Sequence, residues 1–190
     1  MIEENIEREI DNKKVIIKII KQLHGAWAGG DGKTIILNEK TTKSFNKKEL
    51  KSILYHEVEH LKFFNRLLAF LPILLIFLES SYIIYRSGFS VLIIIVSLVI
   101  YLIIRMLIAW IREILCDWNA VKNTEGDIFR KTLQEFYRYN KENSKPSLKR
   151  FYDAVILHPP QPIRLRIIKC LEKKRHKLIK LNRKFASKFQ

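Results

Sequence analysis

Two stretches of the chain are apolar with no period, and they divide it. Between Arg66 and Arg86 the sequence reads LLAFLPILLIFLESSYIIY, whose one charge is Glu79, and between Arg86 and Arg105 it reads SGFSVLIIIVSLVIYLII, with none. At about 1.5 Å per residue each can cross a hydrocarbon core of about 30 Å. Both are apolar all round, which suits lipid better than the one-sided face of a core helix. Pro72 costs the first span a backbone donor, and Glu79 lies near its far end, within reach of the headgroups. Lys47, Lys48, Lys51, Lys62 and Arg66 precede the pair, Arg105, Arg112 and Lys122 follow it, and Arg86 alone lies in the turn. That bias predicts a cell-membrane protein with two spans and with both termini in the cytoplasm. The opening MIEENIEREIDNKK is too charged for a secretory signal.

The flanks carry regular patterns. Residues 2–13 read as a helix, VIIKII (15–20) as a β-rich run, GGDGK (29–33) as a turn and TIIL (34–37) as a strand. Asn46 with Glu49 three residues on forms a capping box, which opens a helix through ELKSILYHEVEHLKFF and on toward the membrane. After the second span the helical pattern runs to about Lys122 and resumes over 127–142. KENSKPS is a connector, 147–157 a helix, HPPQP a rigid turn, and a final helix fills the C-terminus. The expected fold class is α+β, mainly α, with a small N-terminal β-sheet and an inserted two-helix transmembrane hairpin. The expected segments are 1–66, the hairpin 67–104, and 105–190.

Charge sharpens this picture. The three segments carry net charges of +3, 0 and +13, for a total of +16. A surplus of this kind suits nucleic acid or an anionic membrane surface. The basic residues lack regular aromatic interleaving and no nucleic-acid module is legible, so anionic headgroups are the expected partner and nucleic acid is not. The last helix carries Ile167, Ile168, Leu171, Leu178, Leu181, Phe185 and Phe189 near one stripe among Lys and Arg, to pack on the body or lie on lipid. The density of Ile and Leu excludes disorder, and two cysteines in 190 residues exclude a disulfide framework.

The sharpest chemistry is His56-Glu57-Val58-Glu59-His60. Residues four apart share a helix face, so both imidazoles can meet one metal ion while Glu57 reaches a water on it. Catalytic zinc needs a third protein donor. If one helix runs from His60 to a turn near Ser87 and a second returns, the two arms are nearly equal, each about 40 Å, which brings Glu113 back to the height of His60. Asp117, one turn further in REILCDWNA, shares that face and can accept the other N–H of a ligand imidazole. Cys116 reads as a small packing residue. His24 and His176 have no partners at ligand spacing, and Trp27, Trp110 and Trp118 read as core or interface residues.

At these residues the chain resembles the integral-membrane gluzincin metallopeptidases of the HtpX and CAAX-prenyl-protease type. The resemblance rests on HEVEH, on the membrane hairpin directly after it, and on Glu113-x-x-x-Asp117 followed by Ala120. GAWAGGDGKTIILNEK, KKELKSILYHEVEH and HPPQPIR extend it to roughly residues 20–170. It implies a zincin-like catalytic domain holding one Zn2+ per chain on His56, His60 and Glu113. It also implies Glu57 as general base, Asp117 behind the ligands, catalytic His158 as an oxyanion donor, and Ala26, Trp27, Ala28 and Arg164 near a polypeptide substrate. Where the family commonly has Asn before the Ala-aromatic-Ala segment, this chain has Gly25. The small size points to a compact HtpX-like unit without a closed intramembrane chamber. The activity implied is a zinc-dependent endopeptidase acting on membrane or unfolded proteins. The alternative is a catalytically silent zinc-binding membrane adaptor or sensor, against which the intact Glu57 argues.

Overall fold

A computed structural model describes residues 2–21, 26–29, 31–87, 91–143 and 158–186. The described residues fall in two compact units: one within Met1–Leu61, Ile114–Ser144 and Gln161–Gln190, the other within Lys62–Glu113 and Lys145–Pro160.

The first unit begins with strands β1 (Ile2–Ile10), β2 (Lys13–Ile20), β3 (Ala26–Ala28) and β4 (Thr34–Asn38), ordered β1-β2-β4-β3. Strand β1 corrects the helix expected over 2–13. Ile2, Ile6 and Ile10 are four apart, a spacing that keeps them on one face of a helix and equally on one face of a strand. The turn decides between the two. Asp11 and Asn12 take φ of 53° and 58°, the left-handed pair a two-residue hairpin needs, and Ile10 then pairs with Lys13. β2 runs parallel to β4, with Ile17 opposite Ile35, and β3 returns antiparallel on the outer side of β4.

The turn before β4 is built by Asp31. Its carboxylate accepts from the Lys33 and Thr34 backbone N–H groups and from the Thr34 hydroxyl, and Gly32 supplies a φ of 72°. These bonds, the Thr34 hydroxyl foremost, lower the Asp31 pKa from 3.8 to about 2.

Helix α1 (Glu39–Ser44) starts on Asn38, and α2 (Lys47–His60) starts on the expected capping box, in which Asn46 accepts from Lys48 and Glu49 N–H while Glu49 accepts from Asn46 N–H. Ile53, Val58 and Leu61 pack on Val15, Ile17, Ile35 and Leu37 of the sheet. A second core joins Ala120 and Val121 of α4 (Val91–Asn123), Phe129 and Leu133 of α5 (Gly126–Asn143) and Ile168 of α6 (Gln161–Ala186), with Tyr55 of α2 against it. The HEVEH helix is therefore held on two faces, by strands and by helices.

α2 stops where one continuous helix was expected. Leu61 N–H turns back to Val58 O, its side chain is buried in the sheet core, and Lys13 Nζ takes its carbonyl at 2.6 Å. That carbonyl is thus engaged outside the helix, and α3 (Phe63–Ser87) starts afresh two residues on. The last helix starts at Gln161, so Pro162 stands in its first turn, where a missing N–H costs little. The helix expected over 147–157 lies outside the described residues.

Phe64–Ile83 and Ile95–Asn123 are long and apolar enough to cross a membrane, and only 6% of each most apolar stretch is buried within the protein. Phe70, Phe77, Leu78, Val91, Leu92 and Ile95 are exposed. A core helix of a soluble protein would bury such faces, so their exposure supports a membrane location.

Candidate metal centre

On α2, His56 and His60 stand one turn apart with ring centroids 5.0 Å from each other, edge to face. His56 also stacks on Phe129 of α5 at 6.0 Å. His56 and Glu57 are both buried, 7% exposed each, and His60 is half-buried.

The closing stretch of α4 in this unit, from Ile114, lies along α2 and is tied to it twice. Asn119 Nδ2 donates to Tyr55 O at 2.8 Å, and Asp117 Oδ1 lies 3.0 Å from His56 Nδ1. Asp117 is fully buried, and the fork of Arg164 compensates its charge. Nε donates to Oδ2 at 2.7 Å and Nη2 to Oδ1 at 2.6 Å. Arg164 Nη2 is also 3.4 Å from both ring nitrogens of His56. A carboxylate on Nδ1 fixes the ring and leaves Nε2 to offer a lone pair, which is how metal-binding imidazoles are oriented. Arg164 and Asp117 together carry no net charge, so the guanidinium does not by itself bar a cation from the histidines.

A ring nitrogen of His56, one of His60 and Sγ of Cys116 lie within 4.8 Å of one another, with Cys116 fully buried. Two imidazoles and a thiol suit zinc as a donor set, and the residues present fit such an ion. Cys116 is the residue that sequence reasoning passed over. It follows Glu113 by three and precedes Asp117, a position that brings it onto the inward side of a helix, but nothing local distinguishes a packing thiol from a donor.

The other expected residues are distributed as follows. Glu113, in the second unit, is buried, and its Oε2 is 3.0 Å from Nδ1 of His158, which is partly exposed. Arg164, expected near a substrate, is buried on Asp117. Ala26, Trp27 and Ala28 form β3, the terminal strand of the sheet, with Ala26 opposite Leu37 and Ala28 opposite Ile35. The Asp117–Arg164 and Glu113–His158 pairs span 47 and 45 residues of sequence, beyond the reach of any local pattern.

No family model and no curated protein matches the chain. Among solved structures it is similar to the crystal structure of S. mikatae Ste24p, with a TM-score of 0.48 and 18% sequence identity, over 80% of this chain and 45% of that one. The chain thus spans less than half the length of that protein.

Proposed function

We propose that this protein is a membrane-anchored, zinc-dependent endopeptidase of zincin-like, gluzincin type, a compact relative of the HtpX and CAAX-prenyl-protease group. The observation that carries the reading is the pair of histidines one turn apart on a buried helix, with Asp117 on the far nitrogen of the first and Glu57 beside it. In this reading His56, His60 and Glu113 would hold the ion, which when bound would supply Lewis acidity toward a water and a peptide carbonyl. Glu57 would serve as the general base, holding a proton and passing it to a departing amine. Asp117 keeps the His56 ring in one tautomer, and Arg164 keeps Asp117 ionised in place. His158 donates toward the carbonyl oxygen, and strand β3 pairs with an extended polypeptide by adding it to the sheet edge. The substrate class is membrane or unfolded protein. The hairpin lies in the cell membrane, with termini and active site on the cytoplasmic side and the basic C-terminal helix toward anionic headgroups.

The test pairs metal content with cleavage of unfolded casein by detergent-purified wild type and Glu57→Gln, each with and without chelator. The expected result is zinc in both proteins, with cleavage by wild type alone and abolished by the chelator. Zinc in both with cleavage in neither would leave a peptidase of narrow or latent activity or the silent adaptor, and zinc in neither would remove the metal assignment.

A further inference from the structure

We infer that Asn119 is a positioning residue of the metal centre: its carboxamide fixes the register of α4 against the HEVEH helix, so that Asp117 meets Nδ1 of His56. The inference rests on the reading of the site as a metal centre and adds to it a residue that acts through its neighbours.

Asparagine is a poor residue for the interior of a helix, because its carboxamide competes with the backbone for hydrogen bonds. Asn119 nevertheless stands inside the 33-residue α4, only 7% exposed. Its bonds account for it there. Nδ2 donates to Tyr55 O of α2 at 2.8 Å, and Oδ1 accepts from Asn123 Nδ2 at 2.9 Å. Asn123 Nδ2 also donates to Asn119 O at 3.0 Å. A carbonyl only accepts, so Tyr55 O demands the amide nitrogen of Asn119, and Asn119 O demands that of Asn123. The orientation of both carboxamides is thereby set.

A buried asparagine between helices specifies their register, at some cost in stability. Here it does so together with a second bond. At about 100° per residue, Asp117 and Asn119 stand about 160° apart around α4. Their partners, His56 and Tyr55, are adjacent on α2. On the arc between them lie Cys116 and Ala120, both fully buried, and Ala120 shares the helical core with Tyr55. α4 is thus tied to α2 from two sides, which opposes rotation as well as sliding. A slip of one residue would move α4 by about 1.5 Å and turn it by about 100°. That is enough to break the 3.0 Å contact of Asp117 with His56, on which the orientation of the imidazole depends.

The test uses the full chain in detergent, stripped with chelator and reloaded with Co(II), whose visible d–d bands report the geometry of its donors. Wild type is compared with Asn119→Leu, Asn119→Asp and Ile35→Val. Leucine fills similar space without the bond, and aspartate keeps the shape but turns an oxygen toward the Tyr55 carbonyl. Ile35 is fully buried in the sheet core, so Ile35→Val lowers stability through a different part of the molecule. The Asn119 variants are expected to fold, by circular dichroism, to bind Co(II) about tenfold or more weakly than wild type, and to show shifted bands. Ile35→Val should melt at a lower temperature with wild-type affinity and bands. Wild-type affinity and bands in a folded Asn119 variant would overturn the inference and leave the metal centre standing. An Ile35→Val affinity that falls in step with the Asn119 variants would overturn it as well, because loss of stability alone would then explain the effect. Failure of both Asn119 variants to fold would do the same, since the bond would then hold the core as a whole. No cobalt bands in wild type would overturn both the inference and the metal reading beneath it.

Discussion

Asp117 serves two partners, and neither is separable from the other. Its Oδ1 faces both His56 Nδ1 and Arg164 Nη2, and its Oδ2 faces Arg164 Nε, all within a fully buried setting. A buried pair of this kind contributes little relative to an apolar core, but removing one member strands the other charge, at about 3–5 kcal/mol. Arg164→Leu is therefore expected to lower unfolding stability by about that much, with Asp117→Leu similar. The double variant should cost clearly less than the two singles together, because no charge is left unpaired. Thermal melts of the four proteins give the comparison, and simple additivity would show that the two side chains act independently.

At the scale of elements, the sheet edge and its turn make separate predictions. β3 ends the strand order, so one of its sides has no described strand beside it, and this is where an extended substrate is proposed to add. Ala28→Pro removes a backbone donor from that strand and is expected to weaken peptide turnover while zinc stays bound. Unchanged turnover would move substrate binding elsewhere. The turn into β4 depends on the Asp31 carboxylate, whose pKa is lowered to about 2. A depressed carboxyl contributes stability that is complete above its ordinary value near 4 and is lost as pH falls through about 2. Asp31→Asn should remove that part of the acid sensitivity, so its stability should fall less steeply than wild type between about pH 4 and pH 2 in acid titrations followed by circular dichroism.

For the molecule as a whole, the charge bias around the apolar pair predicts a cytoplasmic C-terminal helix. Cys170 is exposed on that helix and Cys116 is buried. A membrane-impermeant maleimide applied to intact cells is thus expected to label Cys170 only after permeabilisation. Labelling without permeabilisation would reverse the orientation.

Much of this architecture was legible because its causes are local. Apolar runs of spanning length, the Asn46–Glu49 capping box, the β-branched runs of β2 and β4 and the i, i+4 histidines are each set by neighbours a few residues away, and helix or strand geometry then places them. What is not local was misjudged or invisible. Ile2, Ile6 and Ile10 satisfy both periods, and only the Asp11–Asn12 turn and pairing with β2 select the strand. Just past the helix end at His60, the Leu61 carbonyl is taken by Lys13, 48 residues away. The partners of Asp117 and Glu113, and the convergence of Cys116 on the two histidines, arise from segments far apart in sequence. The sequence by itself determined which residues can do metal chemistry and which stretches can enter lipid, because side-chain type and helical spacing are enough for both. Tertiary structure alone decided which of those groups meet, because a contact between distant segments depends on how their faces pack and leaves no periodic trace in either.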